Sequence, residues 1–376
     1  MPPRFTIRSV RAHVFRAPIA SPVVTSFGTM HDRPMVLVRV EDSDGVVGWG
    51  ETWCNFPTVG AEHRARLIES VIAPLVEAME IESPQEVFDL LTSRTSVLAL
   101  QTGEPGPIAQ SIAGVDIAIW DLVARRAGEP LWRFLGGQSP RVRVYASGIN
   151  PDRPEELAAR RKADGFTAFK LKVGFGEERD LANLRALRKE IGNDAGLMVD
   201  ANQGWALHEA CAIAPKLEAF GVGWLEEPLR ADRPWNDWKT LGQHTRVALA
   251  AGENLVGDDA FYTALHAEAL DVIQPDMAKW GGFSGCAPVA QQILQGGLRF
   301  CPHFLGGGVG LLASAHLLAA IGGDGLLEID ANPNPLRSLT CGGLDQPRAG
   351  IAALSKDAGL GPPPDLDALR PFAVAH

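Results

Sequence analysis

The second half of this 376-residue chain is a train of short apolar stretches, most of them ending on an ionisable side chain. The clearest is Leu197-Met198-Val199-Asp200-Ala201-Asn202, which reads as a buried strand stopped by a carboxylate. Gln203-Gly204-Trp205 follows as a turn into a helix. The same device recurs at Trp224-Leu225-Glu226 and from Ala248 to Glu253. Asp200, Glu226 and Glu253 are 26 and 27 residues apart, the length of one strand, one helix and two loops. Eight strands are expected in all: Val142–Ala146, Ala168–Val173, Leu197–Val199, Gly223–Leu225, Ala248–Ala251, Val272–Gln274, Arg299–Cys301 and Leu326–Glu328. Eight strand–helix units in about 190 residues point to an α/β protein, a (β/α)8 TIM-type barrel whose strand C-termini share one face.

The first part of the chain reads differently. Phe5 to Phe15, Met35 to Val40 and Val46 to Glu51 are expected strands, the last two joined by a turn at Glu41-Asp42-Ser43-Asp44-Gly45. Ile19 to Arg33, with Phe27, Gly28, Met30 and His31, reads as a long loop, and a loop of that length is mobile or functional. Helical periods run over Ala61–Met79, Ser83–Leu91 and Pro107–Arg126, with Ser83-Pro84 as N-cap and first turn. The expected organisation is an α+β domain over 1–139, the barrel over 140–331, and a Pro- and Gly-rich segment, 332–376, returning to the first domain.

A net charge of −10 argues against a nucleic-acid or anionic-membrane surface. An acidic protein that handles an anion needs a local cation, which favours a metal. Cys54, Cys211, Cys286, Cys301 and Cys341 are scattered and never in C-x-x-C spacing, so they read as reduced thiols. No run of 18 apolar residues occurs, and Met1-Pro2-Pro3-Arg4 opens no apolar leader. The expected location is cytoplasmic.

Strand tips supply the candidate chemistry: Ser147, Lys170 with Lys172, Asp200, Glu226, Glu253, Asp276, His303 and Glu328. Lys170 and Lys172 flank Leu171, so alternation points both lysines into the barrel. There, beside a cation, the two lysines are expected to repel each other and it, which depresses a lysine pKa toward that of a base. Asp200, Glu226 and Glu253 are oxygen-only donors from separate strands, which suits Mg2+. Glu227 alternates to the other side of its strand, as a support or a barrel–helix ion pair. Asn202 is placed to hydrogen-bond a ligand or the substrate. Asp276 and His303 come from adjacent strands, where an aspartate fixes the imidazole tautomer and raises its pKa. Gly306-Gly307-Gly308-Val309-Gly310, followed by Glu328, mimics a dinucleotide-binding fingerprint. A Rossmann unit would leave the preceding charged tips unexplained, so the turn reads as close backbone approach to a bound carboxylate or phosphate.

Together, Lys170-x-Lys172, Asp200-Ala201-Asn202, Glu226-Glu227-Pro228, Gly252-Glu253-Asn254, Gln274-Pro275-Asp276 with Gly281-Gly282, His303 and Glu328 resemble the enolase superfamily. More narrowly they resemble its mandelate racemase subgroup, over nearly the whole chain. Glu253, and Asp276 paired with His303, set it apart from the muconate-cycloisomerase branch, which carries a lysine on strand six; Lys279 lies three residues late and reads as loop. The resemblance implies a modified, (β/α)7β-like barrel under an N-terminal capping domain. It implies Mg2+-dependent abstraction of the proton α to a carboxylate through an enediolate. Lys172 would be a base on one face and His303, oriented by Asp276, an acid/base on the other. Lys170 and Glu328 would stabilise the enediolate oxygens, Glu328 as the protonated acid.

Two opposed bases serve either dehydration of an acid sugar to a 2-keto-3-deoxy acid or racemisation of a 2-hydroxy acid, and the family leans to dehydration. Substrate choice is expected in the cap, from His31, Arg33 and Trp53. A metal-binding barrel without turnover is the alternative from another class, though binding alone needs neither Lys172 nor His303. The partner implied is a small carboxylate, with no nucleic acid and no membrane, in a homo-oligomer.

Overall fold

A computed structural model describes residues 4–24 and 28–376. Strand β1 (Phe5–Val24) pairs antiparallel with β2 (Thr29–Asp42), and β2 with β3 (Val47–Thr52). The expected loop from Ile19 to Arg33 is therefore corrected: most of it is a long hairpin arm, Pro18 facing Asp32 and Val23 facing Met30. Phe27, which that loop contained, lies outside the described residues. Pro18, Pro22 and Pro34 broke the strand pattern in the sequence. In the arm, β1 bonds only β2, and proline is tolerated on such an edge. The turn after β2 is held by Asp42 Oδ1, which accepts from the N–H groups of Asp44 and Val46.

A two-residue strand, β4 (Glu80–Ile81), joins the start of β1. Ser83 caps the helix Pro84–Thr102, its side chain accepting from Glu86 N at 3.2 Å. The helix Pro105–Ala127 is long and apolar enough to cross a membrane, but it is the core of the cap, packed between β3 and the barrel helix Gly282–Gln295. Its approach to β3 depends on Gly48 and Gly50. A Cβ at either would lie 2.1 Å from a helix carbonyl, that of Ala118 or Gly114.

Eight parallel strands build the second unit: β5 (Arg141–Ile149), β6 (Ala168–Lys172), β7 (Gly196–Asp200), β8 (Trp224–Glu226), β9 (Ala248–Ala251), β10 (Val272–Ile273), β11 (Arg299–Phe300) and β12 (Leu327–Asp330). They run in the order β12-β5-β6-β7-β8-β9-β10-β11, a modified TIM barrel. No ladder joins β11 to β12; there Leu326 N–H meets Cys301 Sγ at 3.4 Å. The chain then returns. Strand β13 (Ile351–Ala353) pairs with β5, and β14 (Ala373–Val374) pairs with β1 in the capping sheet.

Parity decides what the barrel presents at its mouth. Tyr145, Ala168, Met198, Trp224, Ala250, Val272, Cys301 and Leu326, each in one of the eight strands or directly beside it, form a buried apolar floor. Inward positions recur every second residue. The next inward positions are therefore Ser147, Lys170, Asp200, Glu226, Gly252, Gln274, His303 and Glu328. Apolar floor and charged rim are the same stripe of each strand, read two residues apart.

Candidate active site

Asp200 and Glu226 are register partners on β7 and β8, so their carboxylates leave the sheet at one level. Both are buried. Asp200 Oδ2 accepts from Lys172 Nζ at 2.5 Å and from Asn202 Nδ2 at 3.1 Å, and Asp200 Oδ1 from Asn202 N at 2.7 Å. Asn202 thus holds the carboxylate in place. Glu226 Oε1 accepts from Lys170 Nζ at 2.5 Å; its other oxygen accepts from Gln274 Nε2 at 2.7 Å and Trp224 Nε1 at 3.1 Å.

Glu253, beyond the tip of β9, faces His303 Nε2 at 2.5 Å and Lys279 Nζ at 3.4 Å. His303 turns its other nitrogen to Asp276, with Nδ1 and Oδ2 2.7 Å apart. The imidazole bridges two carboxylates. Burial alone would lower its pKa, but Glu253, Glu328 and Asp276 outweigh burial and raise it well above the usual value.

Glu328 on β12 receives Lys170 Nζ at 2.8 Å and Phe304 N at 3.1 Å, together with the hydroxyl of Ser147. Burial pushes its pKa up, yet Lys170, His303 and Ser147 bring it down to about 2. These partners favour the carboxylate form of Glu328 in this arrangement. The lysines sit against carboxylates. Burial lowers both, but Glu226 and Glu328 raise Lys170 well above the usual value, and Asp200 raises Lys172. Repulsion between two ammonium groups loses to carboxylates at 2.5 Å.

One further expectation is corrected. Arg33 does not open toward a substrate. It is buried, its Nη2 2.6 Å from Asp330 Oδ2 and its Nε donating to Pro333 O at 3.3 Å, and it ties the cap to the end of β12. Of the two readings of Glu227, the supporting one fits: Asn254 Nδ2 links it to Glu253, and among the described residues no ion pair joins it to a barrel helix. It is buried beyond the end of β8, accepts from Asn254 Nδ2 at 2.9 Å, and is held well above the usual carboxylate range by burial and then by Glu253 and Asp200. Lys279 lies in the loop after β10, as expected, and is buried there. Its ammonium is buried within 3.2 Å of Asn254 Oδ1 and lies 4.9 Å from the centre of the Trp53 ring. Trp53 N donates to Ala278 O at 3.1 Å, so the cap brings this indole to the rim. His31 is exposed on the hairpin arm.

Among the described residues, no three His, Cys, Asp or Glu side chains are gathered closely enough to hold an ion. Asp200, Glu226 and Glu253 are each drawn onto a nitrogen of Lys172, Lys170 or His303. The donors nonetheless fit magnesium: all are oxygens, all come from neighbouring strand ends, and each already has a cationic partner.

Residues 153–368 match the enolase C-terminal domain-like family. Residues 8–136 match the mandelate racemase/muconate lactonizing enzyme N-terminal domain. The chain belongs to the mandelate racemase/muconate lactonizing enzyme family of the enolase superfamily. Within this family it is 31% identical to the D-galactarolactone cycloisomerase of Agrobacterium fabrum (strain C58), over 98% of this chain and 99% of that one. A mandelate racemase/muconate lactonizing enzyme from Bordetella bronchiseptica RB50 has a crystal structure 56% identical to it, with TM-score 0.93, covering 98% of this chain and 100% of that one. A racemase from Streptomyces coelicolor A3(2), solved with bound magnesium, is 28% identical with TM-score 0.86, over 98% and 100% of the two chains. Further relatives include arabinonate dehydratase, D-galactonate dehydratase and N-succinyl-L-Arg/Lys racemase. The family member described here is an enolase-superfamily enzyme.

Proposed function

We propose that this enzyme abstracts the proton α to the carboxylate of an acid sugar, in the presence of Mg2+, and expels a β-oxygen substituent to give a 2-keto-3-deoxy acid. The observation that carries this reading is the row Asp200, Glu226, Glu253, with the ammonium of Lys172 at one end and the imidazole of His303 at the other. Asp200, Glu226 and Glu253 would hold the metal. When bound, Mg2+ supplies Lewis-acid stabilisation of charge on the substrate's carboxylate oxygens. Lys172 and His303, relieved of their carboxylates, then face the substrate from two sides. Lys172, released from Asp200 and having given its extra proton to water, takes the α-proton as the neutral amine. His303, oriented by Asp276, gives a proton to the departing oxygen. Lys170 remains against Glu328 and offers its ammonium to the developing oxyanion.

The leaving oxygen decides the name of the reaction: a hydroxyl gives a dehydratase, and a ring oxygen of the same molecule gives a cycloisomerase. The relatives carry both activities. Return of a proton to the α-carbon by His303 is the racemase alternative. A non-catalytic binding barrel would not need a base at each end of the carboxylate row.

Five unpaired cysteines support a reducing compartment, the cytoplasm. Val97 and Leu100, a turn apart and 68% and 79% exposed, support self-association through the helix Pro84–Thr102.

The test is proton NMR in D2O with Mg2+ or EDTA and a panel of aldonic, aldaric and aryl 2-hydroxy acids. Mg2+-dependent loss of the α-proton signal with a new 3-deoxy methylene is expected. Exchange without a methylene would replace dehydration by racemisation, and no exchange with any acid would remove the support for turnover.

A further inference from the structure

We propose that Glu51, a capping-domain residue on β3, is a positioning residue for His303. It holds the glycine-rich loop that follows β11 by two backbone N–H groups. The proposal rests on the reading of His303 as the acid/base of the reaction. Glu51 is buried, and its carboxylate spans Gly307 N at 2.5 Å and Gly310 N at 2.8 Å, from 256 and 259 residues away. These donors lie where the helix Gly308–Ile321 begins, so a carboxylate there also meets the positive end of the helix dipole. The expected anion site in this loop is thus filled by the chain's own side chain.

The loop has no slack elsewhere. Phe304 N donates to Glu328, Leu305 O accepts from Asn55 Nδ2 at 2.7 Å, Gly306 O from Asn334 Nδ2 at 2.8 Å, and Gly308 N donates to Thr340 Oγ1 at 2.9 Å. Two of these partners, Glu51 and Asn55, come from one short stretch of the cap. The glycines make the grip possible. A Cβ at Gly307 would stand 2.3 Å from Met35 Sδ and 2.8 Å from the Glu51 carboxylate, and one at Gly310 would stand 2.3 Å from the Phe304 ring. His303 enters this loop with its own N–H on Pro275 O at 3.2 Å. The register that aims its imidazole at Asp276 is therefore fixed on the barrel side by Pro275 and on the cap side by Glu51.

Glu51→Gln is the informative change. An amide has one acceptor oxygen, so one of the two loop N–H groups would face an NH2 donor. The probes are the downfield proton resonance of His303 Nδ1–H, assigned by its loss in His303→Asn, and amide hydrogen exchange over 304–310 by mass spectrometry. In Glu51→Gln the resonance is expected to shift or broaden, with loop amides exchanging about tenfold faster. Asn55→Ala, which releases only Leu305 O, should do the same more weakly, and stands in if Glu51→Gln fails to fold. An unmoved resonance in either folded variant would overturn the proposal and leave Glu51 a packing residue. Neither probe uses substrate. A moved resonance with no α-proton exchange in the wild type would count against the reaction and not against the positioning.

Discussion

The barrel mouth and the joint between cap and barrel both bury carboxylates, and they neutralise them in opposite ways. At the mouth, Asp200, Glu226 and Glu253 lean on the side chains of Lys172, Lys170 and His303. At the joint, Glu51 and Asp116 lean on backbone. Asp116 Oδ2 accepts from Phe283 N at 2.7 Å and Ser284 N at 3.1 Å, at the start of the helix Gly282–Gln295. A side-chain cation can rotate away when another cation arrives. A backbone N–H at the first turn of a helix cannot. One set of charges is built to exchange partners and the other to keep them.

The comparison is broken most directly at Lys172. Lys172→Ala is expected to slow α-proton exchange by about 10³-fold, with an unfolding midpoint near that of the wild type in Mg2+. A collapse of stability equal to the loss of rate would mean that the mouth is a structural joint as well. Arg33→Met should show the reverse pattern. It removes one partner of a buried pair and should cost about 3 kcal/mol in urea unfolding, although Arg337 remains 3.8 Å from Asp330.

Adding Mg2+ separates the regions more gently. If the mouth exchanges partners, Mg2+ at about 100 times its Kd should stabilise the protein by about 2.7 kcal/mol. Asp200→Asn should forfeit most of that gain. An unchanged melting curve would mean that these carboxylates keep the lysines.

The smallest effect is in pH. Burial raises Asp116 from 3.8 to about 7, ahead of the opposing hydrogen bonds from Ser284 and Phe283. A raised carboxyl pKa contributes stability that is full below the unfolded value and is lost as pH rises through about 7. From pH 5 to 7 the wild type should lose about 1 kcal/mol per unit relative to Asp116→Asn. Parallel pH curves would mean that Asp116 is ionised throughout.

What could be read from the sequence divides along the same line. The mouth was legible because side chains meet side chains there: carboxylates, lysines and a histidine recur at strand ends, and strand parity sets which of them face inward. Each of the eight expected strands is present, within a few residues. The joint was not legible. Glu51 and Asp116 bond backbone N–H groups, which every residue but proline possesses, so no residue type marks the partner. Arg33 misled for a related reason. A substrate-binding arginine and a buried structural one look alike until Asp330, 297 residues on, is known to sit against it. Lys279 escaped because it lies past the end of β10, where alternation no longer tells which way a side chain points.

Val14 and Phe15 of β1 pair with Val374 and Ala373 of β14. The sheet whose first strand begins at residue 5 therefore acquires its outer strand only when residues 373–374 have left the ribosome. Contacts of such sequence separation are slow to form. The capping sheet is therefore complete only after the whole barrel has been synthesised.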